Sequence, residues 1–529
     1  RYIFEYYPKR NLLGGSALGE WYRNNVKKIR NPYQARIIIR LKSLEEMLFS
    51  IEIEKNSGSQ TTDGLFLGKK YNMVGAKKFE LGEDFYLSCT DLLTHVFICG
   101  ITGSGKTVLG KAIIEEAARK RIPSIIIDLK GDLSSLALAF SNLDPDELLP
   151  WIDQEPRENL ELRAAQEAEY HISQLESYGI TRQQVVEFKK NLNVRIFTPR
   201  SSKGIPLAFA STLGAPENVK ELYDDDPDSF HNLLSSLINA FVDRLYPNTK
   251  RTKIENERNY LYEIVQYAWR HDINLEGEKG LRTLLQLVAN PPFSTIGELT
   301  VEQYICTEKR LERLLNKINT MLTGAEKMWF EGQSLDIDEM VAPVNGKTNI
   351  NIINLTELDH FEDRSFAVAH IAYELYKWMR KLSGTGKPRV VFFIDEIGGG
   401  GGKQALFPSF PYECAAKWGL NYLIRQGRAF GVCCVFATQN PGDVDYKGLS
   451  NCHTWIVGKL STEQDRKKVI QGMALWGTDA DIVKHNLATA NTGDFVVRTP
   501  RGEISIIHER WLMTYHRVLT MEEISLLTG

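Results

Sequence analysis

One octapeptide narrows the possible folds more than any other feature of this chain: Gly100-Ile-Thr-Gly-Ser-Gly105-Lys106-Thr107. It fits G-x-x-x-x-G-K-[ST], follows an apolar, β-branched run at His95–Gly100 and leads into a helical segment, Val108–Arg119. A strand, a glycine-rich loop and a helix in that order build a phosphate cradle. The glycines let the backbone curl so that successive N–H groups face phosphate oxygens, and the helix N-terminus adds partial positive charge. Gly103, Ser104, Gly105, Lys106, Thr107 and Val108 are therefore the expected nucleotide-binding residues. Lys106 is expected to reach the β- and γ-phosphates, and Thr107 to ligate Mg²⁺.

The rest of the pattern places that loop in a parallel sheet. Apolar runs recur between helical stretches at Ser124–Leu129, Val194–Pro199, Ile350–Leu355, Val390–Asp395 and Val432–Thr438, and most do not alternate with polar residues. Such runs mark strands covered by helices on both faces. His453–Lys459, Phe495–Thr499 and Glu503–Glu509 extend the sheet, the last two across a turn at Pro500-Arg501-Gly502. The fold class is thus α/β, a P-loop core with a parallel-rich sheet. Residues 86–141 and 341–529 make the two parts of this core, the second ending in a C-terminal tail, and 142–340 reads as a mainly helical insertion with an acid excess over 142–193. Before it, a helix at Ala17–Ile29, alternating segments at Ala35–Leu41 and Met47–Glu54 and turns at 57–64 suggest a small β-rich N-terminal domain over 1–85.

Hydrolysis requires a second metal anchor and a group that handles water. Asp395-Glu396, at the end of a buried apolar run, offers Asp395 as a Mg²⁺ ligand and Glu396 as a general base. The next run ends at Gln439-Asn440, where an amide can address the γ-phosphate or the attacking water, or simply form a Gln-Asn-Pro-Gly turn.

Length and composition bound the partners. A chain of 529 residues with 43% hydrophobic side chains can bury a large core, and 64 Lys+Arg against 67 Asp+Glu leaves a net charge of −3. A globally basic nucleic-acid binder is excluded, so contacts to DNA require local positive charge. The seven cysteines contain no CxxC pair, which reads as buried thiols in a reducing cytoplasm, and no apolar run approaches the roughly 18 to 20 residues that cross a bilayer. The chain opens at Arg1 rather than Met, which reads as a trimmed start.

Taken in order, THVFICGITGSGKT, IIIDLKGD, VVFFIDE, RQGRAFG and ATQNPGDVDYKGLSN resemble the HerA/FtsK superfamily of ring-forming, DNA-translocating ATPases, and the HerA branch most. The resemblance spans about 85–515, fits the helical insertion loosely, and implies a RecA-like core. It implies ATP and Mg²⁺ as ligands, Glu396 and Asp395 as the acids and Gln439 as the γ-phosphate sensor. It matches the family's D-x-x-G-[DE] to Asp128-Leu-Lys-Gly131-Asp132, where Asp132 is either a further catalytic acid or a loop and capping residue. It makes Arg428, with Arg425 in reserve, the arginine that reaches a neighbouring protomer's γ-phosphate. Arg510-Trp511-Leu512-Met513 resembles a family tail that packs on a neighbour's nucleotide site, although a terminal segment covering its own core fits the residues equally. The N-terminal region corresponds to the family's small β-barrel.

The expected function is a cytoplasmic, homohexameric ATPase that threads duplex DNA and translocates or unwinds it, with Lys403 and Lys417 as channel contacts and a nuclease or other effector as partner. The alternative is a nucleotide-gated ring scaffold that activates an effector, as in antiviral defence, docked on the acid-rich segment or the N-terminal domain. A secretion or conjugation coupling ATPase is a third reading, disfavoured by the lack of a membrane segment.

Overall fold

The structure is a computed structural model and describes residues 64–153, 159–209, 213–216, 219–247 and 249–528. The helix and strands expected between 17 and 54 lie outside the described residues.

Fifteen strands are formed among the described residues: β1 (Gly64–Val74), β2 (Lys77–Ser88), β3 (Val96–Cys99), β4 (Ser124–Asp128), β5 (Leu192–Pro199), β6 (Ile205–Ala208), β7 (Thr295–Ile296), β8 (Leu299–Thr300), β9 (Gln333–Ser334), β10 (Thr348–Asn354), β11 (Val390–Ile394), β12 (Val432–Thr438), β13 (Thr454–Val457), β14 (Asp494–Arg498) and β15 (Ile504–Glu509). Apart from the small hairpin β7–β8, they join one sheet in the order β2-β1-β15-β14-β13-β3-β12-β11-β4-β10-β5-β6-β9. From β13 to β9 every neighbouring pair is parallel, whereas β14, β15, β1 and β2 extend one edge antiparallel. Residues 64–88 therefore belong to the core sheet, and the stretch 142–340 contributes strands β5, β6 and β9 to it as well as its helices.

The apolar runs have the expected cause. Phe97, Cys99, Ile125 and Ile127 pack into one apolar cluster, while Val96, Ile98 and Ile126 pack into another. Successive side chains of a strand point to opposite faces, so a strand with a core on each side has no polar position to spare. Five helices recur below: α1 (Lys106–Arg119), α2 (Leu160–Ser177), α3 (Pro227–Leu245), α4 (Phe361–Arg380) and α5 (Ala415–Phe430). Helix α3 packs with α4 and α5 in the first cluster, and α1 sits in the second. The register Thr438↔Cys99 and Ile394↔Ile127 brings the C-terminal ends of β3, β4, β11 and β12 to one edge of the sheet. In an open parallel sheet this edge is where ligands bind.

The segment after β15 runs back over α1. Arg510 is buried, its guanidinium 2.9 Å from Glu115 and 3.3 Å from Glu116. Met513 and Thr514 donate their backbone N–H groups to the Glu115 carboxylate at 3.1 and 2.9 Å. The Arg510–Met513 tail thus covers its own chain's phosphate-loop helix, as one of the two readings of these residues expected. Two buried carboxylates on one helix attract that arginine because an unpaired charge there is costly. Among the described residues no helix is long and apolar enough to cross a membrane.

Candidate functional site

The phosphate loop spans the end of β3 and the start of α1. Gly103 and Gly105 take positive φ values of 76° and 98°, which curl the chain, and Gly105 is the N-cap of α1. The loop is tied from behind. Ile101 N–H donates to Lys459 O (2.9 Å), Ser104 N–H to Ile101 O (3.2 Å), Gly493 N–H to Ser104 O (3.1 Å) and Thr492 Oγ1 to Gly103 O (2.9 Å). The first N–H groups of α1 have no partner within the helix, which leaves them available to a phosphate. Lys106 is buried and donates to Ile101 O at 2.8 Å. Burial pulls its pKa below the usual lysine value, with Glu396 and Asp395 opposing and Lys130 adding to the fall. Thr107 and Val108 are half-buried in the first turn, and Ser104 is buried with its Oγ lacking a hydrogen-bond partner.

The acids stand on the two strands beyond. Asp128, at the tip of β4, is fully buried and accepts from the N–H groups of Gly131 (2.7 Å), Lys130 (3.3 Å), Leu133 (3.2 Å) and Ser134 (3.1 Å) and from Ser134 Oγ (3.1 Å). It shapes the Asp-Leu-Lys-Gly-Asp turn. Asp132 opens the short 3₁₀ turn Leu133–Ala137 without a side-chain capping bond, and its charge raises the pKa of Asp128 and of Asp395. Asp395 is 3% exposed and its Oδ2 has no partner. Burial pushes its carboxyl up to about 7; Lys130 opposes this, while Asp128, Asp132 and Glu396 push the same way.

Glu396 and Gln439 form a connected pair. Glu396 Oε1 accepts from Thr438 Oγ1 at 2.7 Å and Gln439 N–H at 3.1 Å, and Oε2 accepts from the same N–H at 3.2 Å and from Lys130 Nζ at 3.1 Å. Gln439 Oε1 in turn accepts from Thr102 Oγ1 of the phosphate loop at 2.7 Å. The Gln439 side chain therefore bridges β12 to the loop, which a free Gln-Asn-Pro-Gly turn would not do. A profile of the family described as Helicase HerA, central domain, matches residues 82–375, more than half of the chain.

The chain belongs to the HerA helicase family.

Curated relatives agree. A probable helicase, MJ1565, from Methanocaldococcus jannaschii is 29% identical over 154 residues, which is 28% of each chain. The DNA double-strand break repair helicase HerA of Sulfolobus acidocaldarius is 24% identical over 255 residues, 46% of this chain and 48% of the relative. The chain thus spans between about a quarter and a half of the curated relatives it matches. Among solved structures, VirB4 of Thermoanaerobacter pseudethanolicus is similar with a TM-score of 0.49 at 12% identity, over 86% of this chain and 98% of VirB4. The plasmid coupling protein TrwB, solved with a non-hydrolysable GTP analogue, scores 0.45 at 12% identity over 88% and 98% of the two chains.

Two residues of this HerA-family chain stand apart from its own site. Arg425 and Arg428 are exposed in the last turns of α5, which end just before Val432, the first residue of β12. Seven strand residues at roughly 3.3 Å each put that end about 20 Å from Gln439. Arg428 lies instead toward His95, at the opposite end of β3, whose pKa burial lowers to about 4 with His453 and Arg428 adding to the fall. Lys403 is exposed after the glycine run. Lys417 is not a channel residue as expected: it is buried, 3.2 Å from Glu413 and 3.1 Å from Asp445. Sequence reasoning passed over Lys130, Thr102 and Thr438, although each stands inside a stretch that carried the resemblance, and over Glu509, whose carboxyl lies against Gly105.

Proposed function

We propose that this chain is the motor of a ring, a homohexamer that hydrolyses ATP and translocates duplex DNA. The observation that carries this reading is the joining of three sequence-distant elements at one sheet edge: Lys106 on the loop, Asp395–Glu396 after β11 and Gln439 after β12, linked through Thr102 and Thr438. Lys106 and the loop amides hold the phosphates, Gln439 and Glu396 orient a water, and Glu396 takes its proton. The unpartnered Asp395 Oδ2, buried beside Lys106, suits a cation; Asp395 and Thr107 would hold Mg²⁺, whose charge offsets that on the phosphate oxygens. Arg425 and Arg428 are exposed and remote from their own site, and in this reading they reach a neighbour's across a closed ring. Lys403 supplies a channel contact in each copy, and repeated phosphate contacts add up without a basic chain. An effector partner fits the acid-rich α2, where Leu162 and Tyr170 are exposed among Glu161, Glu169 and Glu176.

The test joins two measurements. Linear duplex DNA should raise the rate of ATP hydrolysis in a salt-sensitive way, and native mass should show six chains with ATP, with any bound effector as added mass. A rate indifferent to DNA at every salt concentration, or a monomer under all conditions, sinks the ring motor.

A further inference from the structure

The Glu396 carboxylate is crowded with donors. Of its roughly four lone-pair sites, three donors take up most: Lys130 Nζ, Thr438 Oγ1 and Gln439 N–H, the last shared between both oxygens, all within 3.2 Å. With the side chain only 14% exposed, little of it is left for the water that a general base must grip. Of the three donors, two cannot leave easily. Gln439 N–H is backbone at the tip of β12, and Thr438 is fully buried. Lys130 differs: its side chain is 34% exposed on a flexible four-carbon stem. Its backbone is fixed, since its own N–H and that of Gly131 are bound by Asp128, and Gly131 takes φ +87°. The ammonium can therefore swing from a rigid pivot.

Where it would swing is set by charge. Glu396, which Lys130 holds, also accepts from Gln439 N–H, and the Gln439 side chain reaches Thr102 of the phosphate loop, so the Lys130 ammonium borders the space next to that loop. A terminal phosphate brought to Lys106 puts concentrated negative charge within reach of Lys130, and charge-assisted bonds to phosphate rival those to carboxylate.

We propose that Lys130 is a γ-phosphate-dependent latch on Glu396: it holds the carboxylate when the nucleotide is a diphosphate and transfers to the third phosphate of a triphosphate, opening a lone pair of Glu396 for water. Lys130 is a positioning residue here, and the proposal rests on the ATP-hydrolysis reading. It explains why a lysine sits one residue before the pivot glycine of Asp128-Leu-Lys-Gly-Asp, a position the phosphate and metal roles leave unused.

Calorimetric titration of the full chain with ADP and with a non-hydrolysable ATP analogue tests it. Lys130→Gln should weaken the analogue about tenfold and leave ADP within about twofold, a loss on the scale of one charge-assisted bond. Lys130→Arg should retain most of the preference for the analogue. Glu396→Gln should tighten the analogue when Lys130 is present, because its competitor is gone, and this gain should vanish in the Lys130→Gln background. Equal weakening of ADP and analogue by Lys130→Gln overturns the latch. So does a Glu396→Gln effect of the same size in both backgrounds, which would be plain charge repulsion. A parent chain that binds neither nucleotide would remove the ATPase reading itself, whereas binding with a non-interacting cycle removes the latch alone.

Discussion

Gly105 shows how tightly a single position can be set. Its φ of +98° disfavours any side chain, and a methyl added there would lie 2.4 Å from Glu509 Oε1. Glu509 is buried, and the backbone N of Gly493 lies 3.1 Å from the same added methyl, so the surroundings have little room to give way. Gly105→Ala should therefore weaken nucleotide binding about ten- to hundredfold, as read by titration, while leaving the fold intact. The glycine and lysine pattern of this loop was legible because spacing alone carries it. Glu509 was not: it lies about four hundred residues further along the chain, and nothing in Ile-His-Glu-Arg points to a loop at residue 105. Lys130 is 266 residues from its carboxylate partner and was hidden for the same reason. Lys417 misled because its charge was visible, whereas its burial against Asp445 was not.

At the level of elements, the buried runs announced the strands of the parallel sheet, since a strand between two cores has to be apolar throughout. The edge was harder to read. Strands β1 and β2 carry exposed and half-buried positions and resemble a separate module until β1 is seen paired to β15, with β2 outside it. The course of the tail after β15 was equally open, and the Arg510 pairing with Glu115 and Glu116 decided it. All three side chains are buried, so removing the cation leaves Glu115 without its counter-charge and Glu116 with Arg119 alone. Arg510→Met should destabilise the fold by about 3–5 kcal/mol, measured by chemical denaturation, and the loss should grow where pairing with Arg119 cannot compensate for Glu116. A change within about 1 kcal/mol would mean that the tail is not a structural part of α1's support.

Across the whole molecule, several buried histidines couple stability to acid. His171 on α2 is the clearest, for it lies 4% exposed beneath Trp511, whose Nε1 donates to His171 Nδ1 at 3.1 Å. Burial lowers its pKa to about 4 from an ordinary 6.5. The unfolded chain takes up this proton first as pH falls, so the contribution of His171 is complete above about pH 6.5 and is lost as pH drops toward 4. Asn at this position keeps an acceptor without a titrating ring. The Tm lead of the parent over His171→Asn should accordingly shrink between pH 6.5 and 4, and a constant difference across that window would show that the ring is not buried as described.

The phosphate loop is bound from behind at Ile101, Gly103 and Ser104 by two separate segments, one at Lys459 and one at Thr492–Gly493. A loop held in this way is already ordered before any phosphate arrives, so little conformational entropy remains to be lost on binding. Nucleotide association should then be fast and enthalpically simple, and the slow steps of the cycle should fall on side chains that must exchange partners rather than on the loop that receives the phosphate.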